Sequence, residues 1–418
     1  MPRDILLGLG LALSTATQFR VPGLPLGPGE LFLSAWLVLA TTAQLVGGRP
    51  AANQALGRLV TFWTILALAL SVALVSGLAR DLFQDVSGML HDITAYLLMM
   101  AIGLMLMLEL QDGRRRRGAI WIFVGLSTGI VIIQLLSGFG LNLVPGVDNW
   151  FYDRFRGWSE NPNQLGFFVV VLTFMALHLA ETAPSPTERV GGLACAAVAG
   201  LAGVLTRSDS YVVALLIGAS AWVALTAFVW FRTLRSGLVL RGATVLFALL
   251  SIPLAAAAFA PFAAAALERI EDTSASLYND NEQGETRLQL WIEALDRGYQ
   301  SGLIGFGPGP QLTSKSYKRP PPEKFEAHNT FLDLFVQGGL VALAAFIWLV
   351  GSAALGAWRT RLAGMLALIG ALTAFGLFHY VVRQPIFWFG VAACLLEANR
   401  LVAASGLRLL PLRTEVST

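Results

Sequence analysis

A histidine and an asparagine, His328-Asn329, stand between a charged, proline-rich stretch and a long apolar run. Asn329 can cap a helix that begins at the next residue. The positive end of that helix disfavours a protonated imidazole, so His328 should stay neutral and able to accept a proton. The pair therefore predicts a general base where water meets an apolar segment. The competing interpretation is a solvated or hydrogen-bonded histidine without a chemical role.

An arginine lies upstream of the histidine, at the expected start of an amphipathic helix. Thr286-Arg287-Leu288-Gln289 fits a capping box, which predicts that the helix begins at Arg287. A helix N-terminus and a guanidinium group together suit a phosphate, whose oxygens accept hydrogen bonds from both. Arg287 is therefore a candidate anion-binding residue. The alternative is an exposed arginine paired with Glu282 or Glu285.

A second candidate arginine, Arg207, stands in the short polar step Leu205–Ser210 between two apolar runs. An ionisable group at membrane depth is a functional candidate, because its burial there is costly. Two interpretations stay open. Arg207 binds a ligand, or its side chain reaches the lipid headgroups or pairs with Asp209.

Other polar positions are weaker candidates for contact with a polar ligand. They are Arg154, Arg156, Asn163, Asn329 and Arg383, the last with His379 nearby. The stretch Gly305–Pro310 predicts turns rather than a phosphate-binding loop, because its prolines lack N–H donors. The two cysteines, Cys195 and Cys394, fall within apolar runs, so neither a disulfide nor a metal cluster is predicted.

The elements that must position these residues follow from composition. Hydrophobic residues make up 56% of the 418-residue chain and charged residues only 13%. This balance excludes a separate soluble domain, and apolar runs recur that approach the roughly 20 residues needed to cross a bilayer. We expect an all-α polytopic membrane protein, with 1–418 forming one membrane domain of about twelve transmembrane helices. Their predicted positions are 5–19, 30–47, 59–78, 92–110, 118–136, 164–182, 191–206, 210–230, 242–262, 330–356, 362–380 and 385–402.

Basic residues in short loops predict the orientation of these helices. The run Arg114–Arg117 is the strongest marker of the cytoplasmic side, and alternation from it places the other basic loops and both termini there. Two long loops, 137–163 and 263–328, then lie on the outer side. Long loops in compact proteins are usually functional or disordered. An apolar stripe from Leu288 to Tyr299 predicts a helix in the second loop, which favours function.

Three stretches together resemble the O-antigen ligase and polymerase superfamily of bacterial inner-membrane glycosyltransferases. They are Arg156-Gly157 with Asn161-Pro162-Asn163; Arg287 with Trp291, Ala294-Leu295 and Gly305–Gly309; and His328–Leu332 with Gly338-Gly339. The helix count and the long loop before the histidine fit as well, so the resemblance covers most of the chain. It implies a GT-C-like fold in the bacterial inner membrane, with both termini in the cytoplasm. The periplasmic loop 263–328, before helix ten, would form part of an active site that faces the periplasm.

The resemblance also implies the reaction and its participants. The donor would be an oligosaccharide on undecaprenyl diphosphate, without a nucleotide sugar, metal or other cofactor. Arg207 and Arg287 would bind the diphosphate, and His328 would activate the acceptor hydroxyl. Negative charge grows on the leaving diphosphate, so arginines aimed at it stabilise the transition state more than the ground state. Attack from the opposite face would invert the anomeric carbon, so we expect a metal-independent inverting glycosyltransferase.

The acceptor separates two versions of this function. A polymerase extends lipid-linked repeat units, whereas a ligase transfers the glycan to lipid A-core. Ten residues separate Arg207 from Gly218, and Arg287 from Gly298, a spacing typical of some polymerases. The first helices, from Gln18-Phe19-Arg20 to Gly29-Glu30, resemble those of exopolysaccharide polymerases. Polymerase is therefore favoured, and ligase is the alternative. A transporter or flippase of lipid-linked glycan is the rival from another class. Membrane lipids and a chain-length regulator are further expected partners, and no nucleic acid is expected.

Overall fold

The computed structural model describes residues 2–21, 26–47, 53–80, 85–141, 143–233, 284–313 and 324–405. Within these ranges the chain is helical apart from turns and one short hairpin, in which β1 (Trp150–Phe151) pairs antiparallel with β2 (Arg154–Phe155). The predicted all-α class is confirmed for this part of the chain. The predicted helix 242–262, and the parts 263–283 and 314–323 of the predicted outer loop, lie outside the described residues.

Twelve α-helices follow one another in the described ranges. They are α1 (Pro2–Leu13), α2 (Pro28–Gly47), α3 (Gln54–Ala79), α4 (Val86–Glu109), α5 (Gly113–Leu136), α6 (Pro162–Glu181), α7 (Pro186–Leu205), α8 (Asp209–Thr233), α9 (Gly284–Gln300), α10 (Thr330–Arg359), α11 (Ala363–Gly376) and α12 (Pro385–Ser405). A 3-10 turn (Thr17–Phe19) and a π-helical turn (Ser137–Leu141) complete the helical segments. Helix α9 is the one predicted inside the outer loop, and the other eleven occupy predicted apolar runs.

Eight of these helices, α2 to α8 and α10, are long and apolar enough to cross a membrane. The structure therefore confirms a polytopic helical membrane protein, while the count of twelve transmembrane helices stays a prediction. Apolar side chains on the outer faces agree with contact to lipid: Val72 and Val75 of α3, for example, are well exposed.

Helix α1 ends six residues before the predicted position 19. The Ser14 hydroxyl donates to the Leu11 carbonyl oxygen (2.7 Å) beyond the last helical turn. The Gln18 side-chain amide donates instead to carbonyl oxygens of Gly157 (3.0 Å) and Ser159 (2.9 Å) in the first outer loop. These polar contacts stop the helix, because a helical backbone through Gln18 would leave them unmade.

Helix α6 lies at the centre of the bundle. The consecutive residues Phe168, Val169, Val170 and Val171, which point to different sides of the helix, are all fully buried. A helix that is apolar all round belongs in the interior of a protein, and α5, α7, α8 and α11 pack around α6. Its N-terminus, capped by Asn161, is therefore a fixed point against which a site can be built.

One end of the bundle collects the basic residues that marked the cytoplasmic side. Arg116, fully buried, donates to Glu397 of α12 (2.8 Å), and Arg117 donates to Glu188 of α7 (2.6 Å). These ion pairs bring the α4–α5 loop to the end of α12 and the start of α7. We call this the basic end of the bundle; the segments around His328 lie at the opposite end.

Helix α10 is broken about a third of the way along its length. Gly339 has the non-helical angles φ +69° and ψ −164°, so the carbonyl groups before it lose their helical partners. The glycine-rich segment supplies replacements: the Phe306 N–H donates to the Val336 oxygen (2.9 Å) and the Gly307 N–H to the Gln337 oxygen (2.8 Å). The break is therefore stabilised by a loop that packs into the bundle.

That loop can lie so close only because of its glycines. Gly305 and Gly307 have φ of +92° and +99°, a region that favours glycine. A Cβ on Gly305 would lie 2.5 Å from the Gln337 oxygen, and one on Gly307 would lie 2.9 Å from the Cα of Leu74 in α3. The predicted turns are confirmed, and their purpose is close backbone packing against α10 and α3.

Candidate active site

Helix α9 covers the segment that carries the histidine. Leu290 and Ala294 are fully buried in a small apolar cluster with Phe306 and Ala327. The Trp291 indole donates to the Ala327 carbonyl oxygen (3.0 Å). Of the predicted stripe, Ile292, Leu295 and Tyr299 remain exposed. Helix α9 thus packs against this segment through the face that carries Leu290 and Ala294, and part of its apolar stripe stays exposed.

The predicted start of α9 at Arg287 is wrong. The helix begins at Gly284, because a capping sequence permits a start without preventing an earlier one. Arg287, half-buried, therefore lies at the end of the first turn and not at its beginning. Glu282 is outside the described residues and the side chain of Glu285 is not described, so the alternative pairing of Arg287 stays open.

His328 is held in an unusual backbone conformation. Its φ is +51°, a left-handed value that is costly for residues with a Cβ. The buried Asp333 carboxylate accepts from the N–H groups on both sides, Ala327 (2.7 Å) and Asn329 (3.1 Å). Asn329 caps α10 as predicted, since its side-chain oxygen accepts from the N–H groups of Phe331 (3.0 Å) and Leu332 (3.2 Å). The oxygen of Asn329 is therefore committed to the helix.

A polar cavity of about 160 Å³ opens beside His328. It lies between the N-terminus of α6, the segment before α10 and the turn between α11 and α12. Its lining residues are Asn161, Asn163, Gln164, Phe167, Glu326, His328, Phe375, His379, Tyr380, Val381, Arg383 and Gln384. Three of the predicted site residues, Asn163, His328 and Arg383, thus meet in one cavity although the sequence separates them widely.

Arg383 is fixed between two carboxylates. It donates to Asp92 of α4 (2.6 Å) and to Glu326, and it lies 4.8 Å from the centre of the Tyr380 ring. Burial alone would lower the pKa of Arg383, but the charges of Glu326 and Asp92 outweigh burial and raise it. Arg383 is therefore a permanent cation whose charge is already balanced, and it orients Glu326 at the cavity wall.

The imidazole of His328 is neutral at pH 7. Desolvation by the surrounding protein lowers its pKa, and the positive charges of Arg287 and Arg383 add to that effect, while Glu326 acts against it. The residue is nevertheless open to solvent at the cavity, so a substrate group can reach it. The predicted neutral state is supported, with burial and nearby cations as the causes rather than the helix end alone.

A second imidazole, His379, faces the same cavity. Its Nε2 lies 3.0 Å from the Ser210 hydroxyl, and its ring stacks on Phe375 at 4.7 Å. Burial, followed by the charge of Arg287, lowers the pKa of His379 to about 3. His379 is therefore a neutral hydrogen-bonding group. The turn that holds it is tied to α10, because the Thr330 hydroxyl donates to the His379 carbonyl oxygen (2.7 Å).

Arg154 connects the hairpin to this site. It donates to the Asn163 side-chain oxygen (2.9 Å) and to the Thr206 carbonyl oxygen (3.1 Å). Burial lowers the pKa of Arg154; the negative charges of Asp209 and Asp153 act against burial, and the positive charge of Arg287 adds to it. Arg287 lies close enough to Arg154, His328 and His379 for its positive charge to lower the pKa of each.

Arg156 and Arg207, like Arg154 and Arg287, are not among the residues that line the cavity. Arg156 pairs with Asp148 (2.8 Å) in the first outer loop. The Arg207 side chain is 52% exposed and pairs with Asp153, not with Asp209 as one alternative had it. Both belong to the hairpin region at the rim, so a diphosphate role for Arg207 and a ligand role for Arg156 stay predictions.

Sequence reasoning missed three residues that shape the site. Asp333 is a polar residue within an apolar run, and Glu326 is one of many acidic residues in a charged loop, so neither stands out in the sequence. Asp92 offered a signal, since an acidic residue bordering a predicted span needs a buried partner. The partner, Arg383, lies 291 positions away in sequence. Only the fold shows that pairing.

Comparison with known proteins adds one match. Residues 193–347 match the protein-family model described as O-Antigen ligase. The matched part runs from α7 into α10 and includes Arg207, Arg287 and His328. No curated protein matches the chain.

Proposed function

We propose that this member of the O-antigen ligase and polymerase superfamily transfers a glycan from undecaprenyl diphosphate to an acceptor hydroxyl. The family match supports a glycosyltransferase of the ligase or polymerase kind. The observation that carries the proposal is the convergence of a neutral, accessible His328 with the charge of Arg287 beside one polar cavity.

His328 acts as the general base in this proposal. It accepts the proton of the acceptor hydroxyl while that oxygen forms a bond to the anomeric carbon of the donor sugar. The bond from the anomeric carbon to the diphosphate oxygen breaks, and the electron pair leaves on that oxygen. In-line attack inverts the anomeric carbon. Such base assistance contributes roughly 10² to 10⁴-fold to a rate.

Cationic groups stabilise the diphosphate as it leaves. Arg287 is the first candidate, because its charge acts on His328 and His379 as well as on Arg154. Arg154, held by neutral oxygens, keeps a positive charge that a phosphate can use. Arg207 would also bind the phosphate, after its ion pair with Asp153 breaks. Fixed cations at a growing negative charge favour the transition state over the ground state.

The proposal places this chemistry on the periplasmic side of the bacterial inner membrane. The cavity and the basic end lie at opposite ends of the bundle, and basic loops favour the cytoplasmic side. Both termini are then cytoplasmic, the single membrane domain spans 1–418, and loop 263–328 forms part of the periplasmic site. Donor and acceptor would reach the site from the membrane surface.

We propose a polymerase in preference to a ligase. The glycines three helical turns after Arg207 and Arg287 have a packing role: a Cβ on Gly298 would lie 2.0 Å from the Phe335 ring, and one on Gly218 would lie 2.4 Å from Phe174. The shared spacing therefore fixes each arginine relative to a tight helix contact. It supports a common architecture for the two arginines, and the polymerase assignment rests on the resemblance in sequence.

One experiment tests both the function and the acceptor. Purified protein is incubated with lipid-linked repeat units, with and without lipid A-core, and the products are weighed by mass spectrometry. Longer lipid-linked chains support a polymerase, and glycan on lipid A-core supports the ligase. Movement of lipid-linked glycan across liposomes without any new glycosidic bond would replace the proposal with a transporter.

A further inference from the structure

We propose that the polar cavity binds one neutral sugar ring of the acceptor, while the donor diphosphate stays outside it near Arg287 and Arg154. This inference rests on the proposed function and deepens it. The argument uses the size of the cavity, its charge balance and the polarity of its hydrogen-bonding groups.

The enclosed part of the cavity has room for one sugar ring. Its volume is about 160 Å³, whereas pockets for drug-sized ligands measure roughly 300 to 1,000 Å³. At roughly 30 Å³ per water, the cavity holds on the order of five water molecules. A single sugar ring displaces such a volume, but a disaccharide or a sugar diphosphate exceeds it.

The charge balance of the cavity disfavours a phosphate. The arginine in its lining, Arg383, is engaged by Asp92 and Glu326, so little positive charge remains for an anion. A diphosphate inside would also face the Glu326 carboxylate. Arg154 and Arg287 are not among the lining residues. This distribution of charge favours a neutral ligand inside the cavity and an anion outside it.

The amide groups of the lining are arranged as donors. The Asn161 side-chain oxygen accepts from the Asn163 N–H (2.8 Å), and the Asn163 side-chain oxygen accepts from Arg154 (2.9 Å). Backbone N–H and guanidinium groups can only donate, so these two amide orientations are fixed. The Gln164 side-chain oxygen accepts from the Thr17 hydroxyl (3.1 Å). The side-chain oxygens of these three amides each accept a hydrogen bond within the protein, which leaves their NH₂ groups to donate to a ligand.

The cavity combines amide NH₂ donors with one acceptor, His328, and a sugar can bond to both. Several hydroxyl oxygens of the ring can accept from the amides, while one hydroxyl donates its proton to His328. Phe375 packs against Phe167 (4.8 Å) and stacks on His379, which gives the ring an apolar surface. Few polar groups on an aromatic background are typical of small-ligand sites. The sugar hydroxyl at His328 would be the nucleophile.

Substitutions that exchange a donor for an acceptor test the assignment. Gln164→Glu and Asn161→Asp keep the side-chain size and the accepting oxygen but remove the NH₂ group. We expect the KM for the acceptor to rise about tenfold for each, since one lost buried hydrogen bond corresponds to roughly that factor. The KM for the donor and the kcat should change little. Gln54→Glu, the same change at an exposed position near the basic end, is the matched control and should change neither constant.

A binding measurement separates this inference from the proposed function. Calorimetry measures the binding of two kinds of ligand to the His328→Ala protein: methyl glycosides of the sugars in the repeat unit, and inorganic pyrophosphate. This measurement does not depend on glycan transfer. We expect one glycoside to bind, and Gln164→Glu in that background to weaken it without weakening pyrophosphate. If the variants instead raise the KM for the donor, or weaken pyrophosphate alone, the cavity holds the donor. If glycoside binding and both KM values are unchanged, the cavity is no substrate site, even where wild-type protein still transfers glycan.

Discussion

The two ends of the helix bundle use arginine in different ways. At the basic end Arg116 pairs with Glu397 and Arg117 with Glu188. At the cavity end Arg383 is shared by two carboxylates, and Arg154 is held by neutral oxygens. Buried pairs such as Arg116–Glu397 mainly fix geometry, and breaking one is costly. Cations without a matched carboxylate can instead attract an anionic ligand.

The largest expected effect comes from the cavity end. His328→Ala removes the proposed base, so glycan transfer at saturating substrates should fall roughly 10² to 10⁴-fold. The melting temperature should change little, because alanine also has a Cβ and the left-handed backbone at this position costs it a similar free energy. Transfer is measured from product mass with time. An unchanged rate in a folded His328→Ala protein would exclude the base role.

The opposite outcome is expected at the basic end. Arg116→Ala leaves Glu397 largely buried without its partner, so the free energy of unfolding should fall by about 3 to 5 kcal/mol. The kcat per folded molecule should be unchanged, because the ion pair lies far from the cavity. Thermal unfolding in detergent and transfer assays below the transition give the two values. A lower kcat with an unchanged free energy of unfolding in Arg116→Ala would contradict the proposed difference between the two ends.

A smaller effect should come from Asp333, which holds the peptide groups around His328. Asp333→Asn keeps one acceptor and places an NH₂ group against the other N–H donor, at a cost of about 1 to 3 kcal/mol. We expect the kcat to fall about tenfold while both KM values stay the same. Asp333→Glu, which keeps two acceptor oxygens, should restore part of the activity. Reduced stability with normal kcat in both variants would leave Asp333 a purely structural residue.

The smallest effect concerns pH. The pKa of His328 lies below its ordinary value of 6.5, so the base is fully available at neutral pH and is lost only as the pH falls through the lowered value. Glu326 raises that pKa, so Glu326→Gln should shift the acid limb of kcat/KM to lower pH. In that variant Arg383 keeps one carboxylate partner instead of two, so its positive charge would lower the pKa of His328 further. A shift to higher pH would show that another group controls the acid limb.

Local sequence features could be predicted well. Apolar runs located eleven of the described helices, and Asn329 was identified as the cap of the helix after the histidine. Both depend on neighbouring residues, since helix periodicity and capping are short-range effects. The early end of α1 was missed because Gln18 bonds to a loop more than a hundred residues away.

The candidate site could be predicted only as a set of residue types. His328, Asn163 and Arg383 were identified from their polar settings, yet their shared cavity depends on how α6, α10 and the last turn pack. Arg207 shows the same limit, because its partner Asp153 comes from a hairpin that sequence did not indicate. Pairings between distant elements require the fold.

The break in α10 at Gly339 has a mechanical consequence. Before Gly339, the turns that begin just after His328 are hydrogen-bonded to the glycine-rich loop; after it, the longer remainder of α10 carries exposed apolar side chains such as Val341 and Ile347. Tilting of that remainder, as the bilayer thickens or thins, would bend the chain at this joint. The catalytic end would then keep its shape while the membrane around it changes.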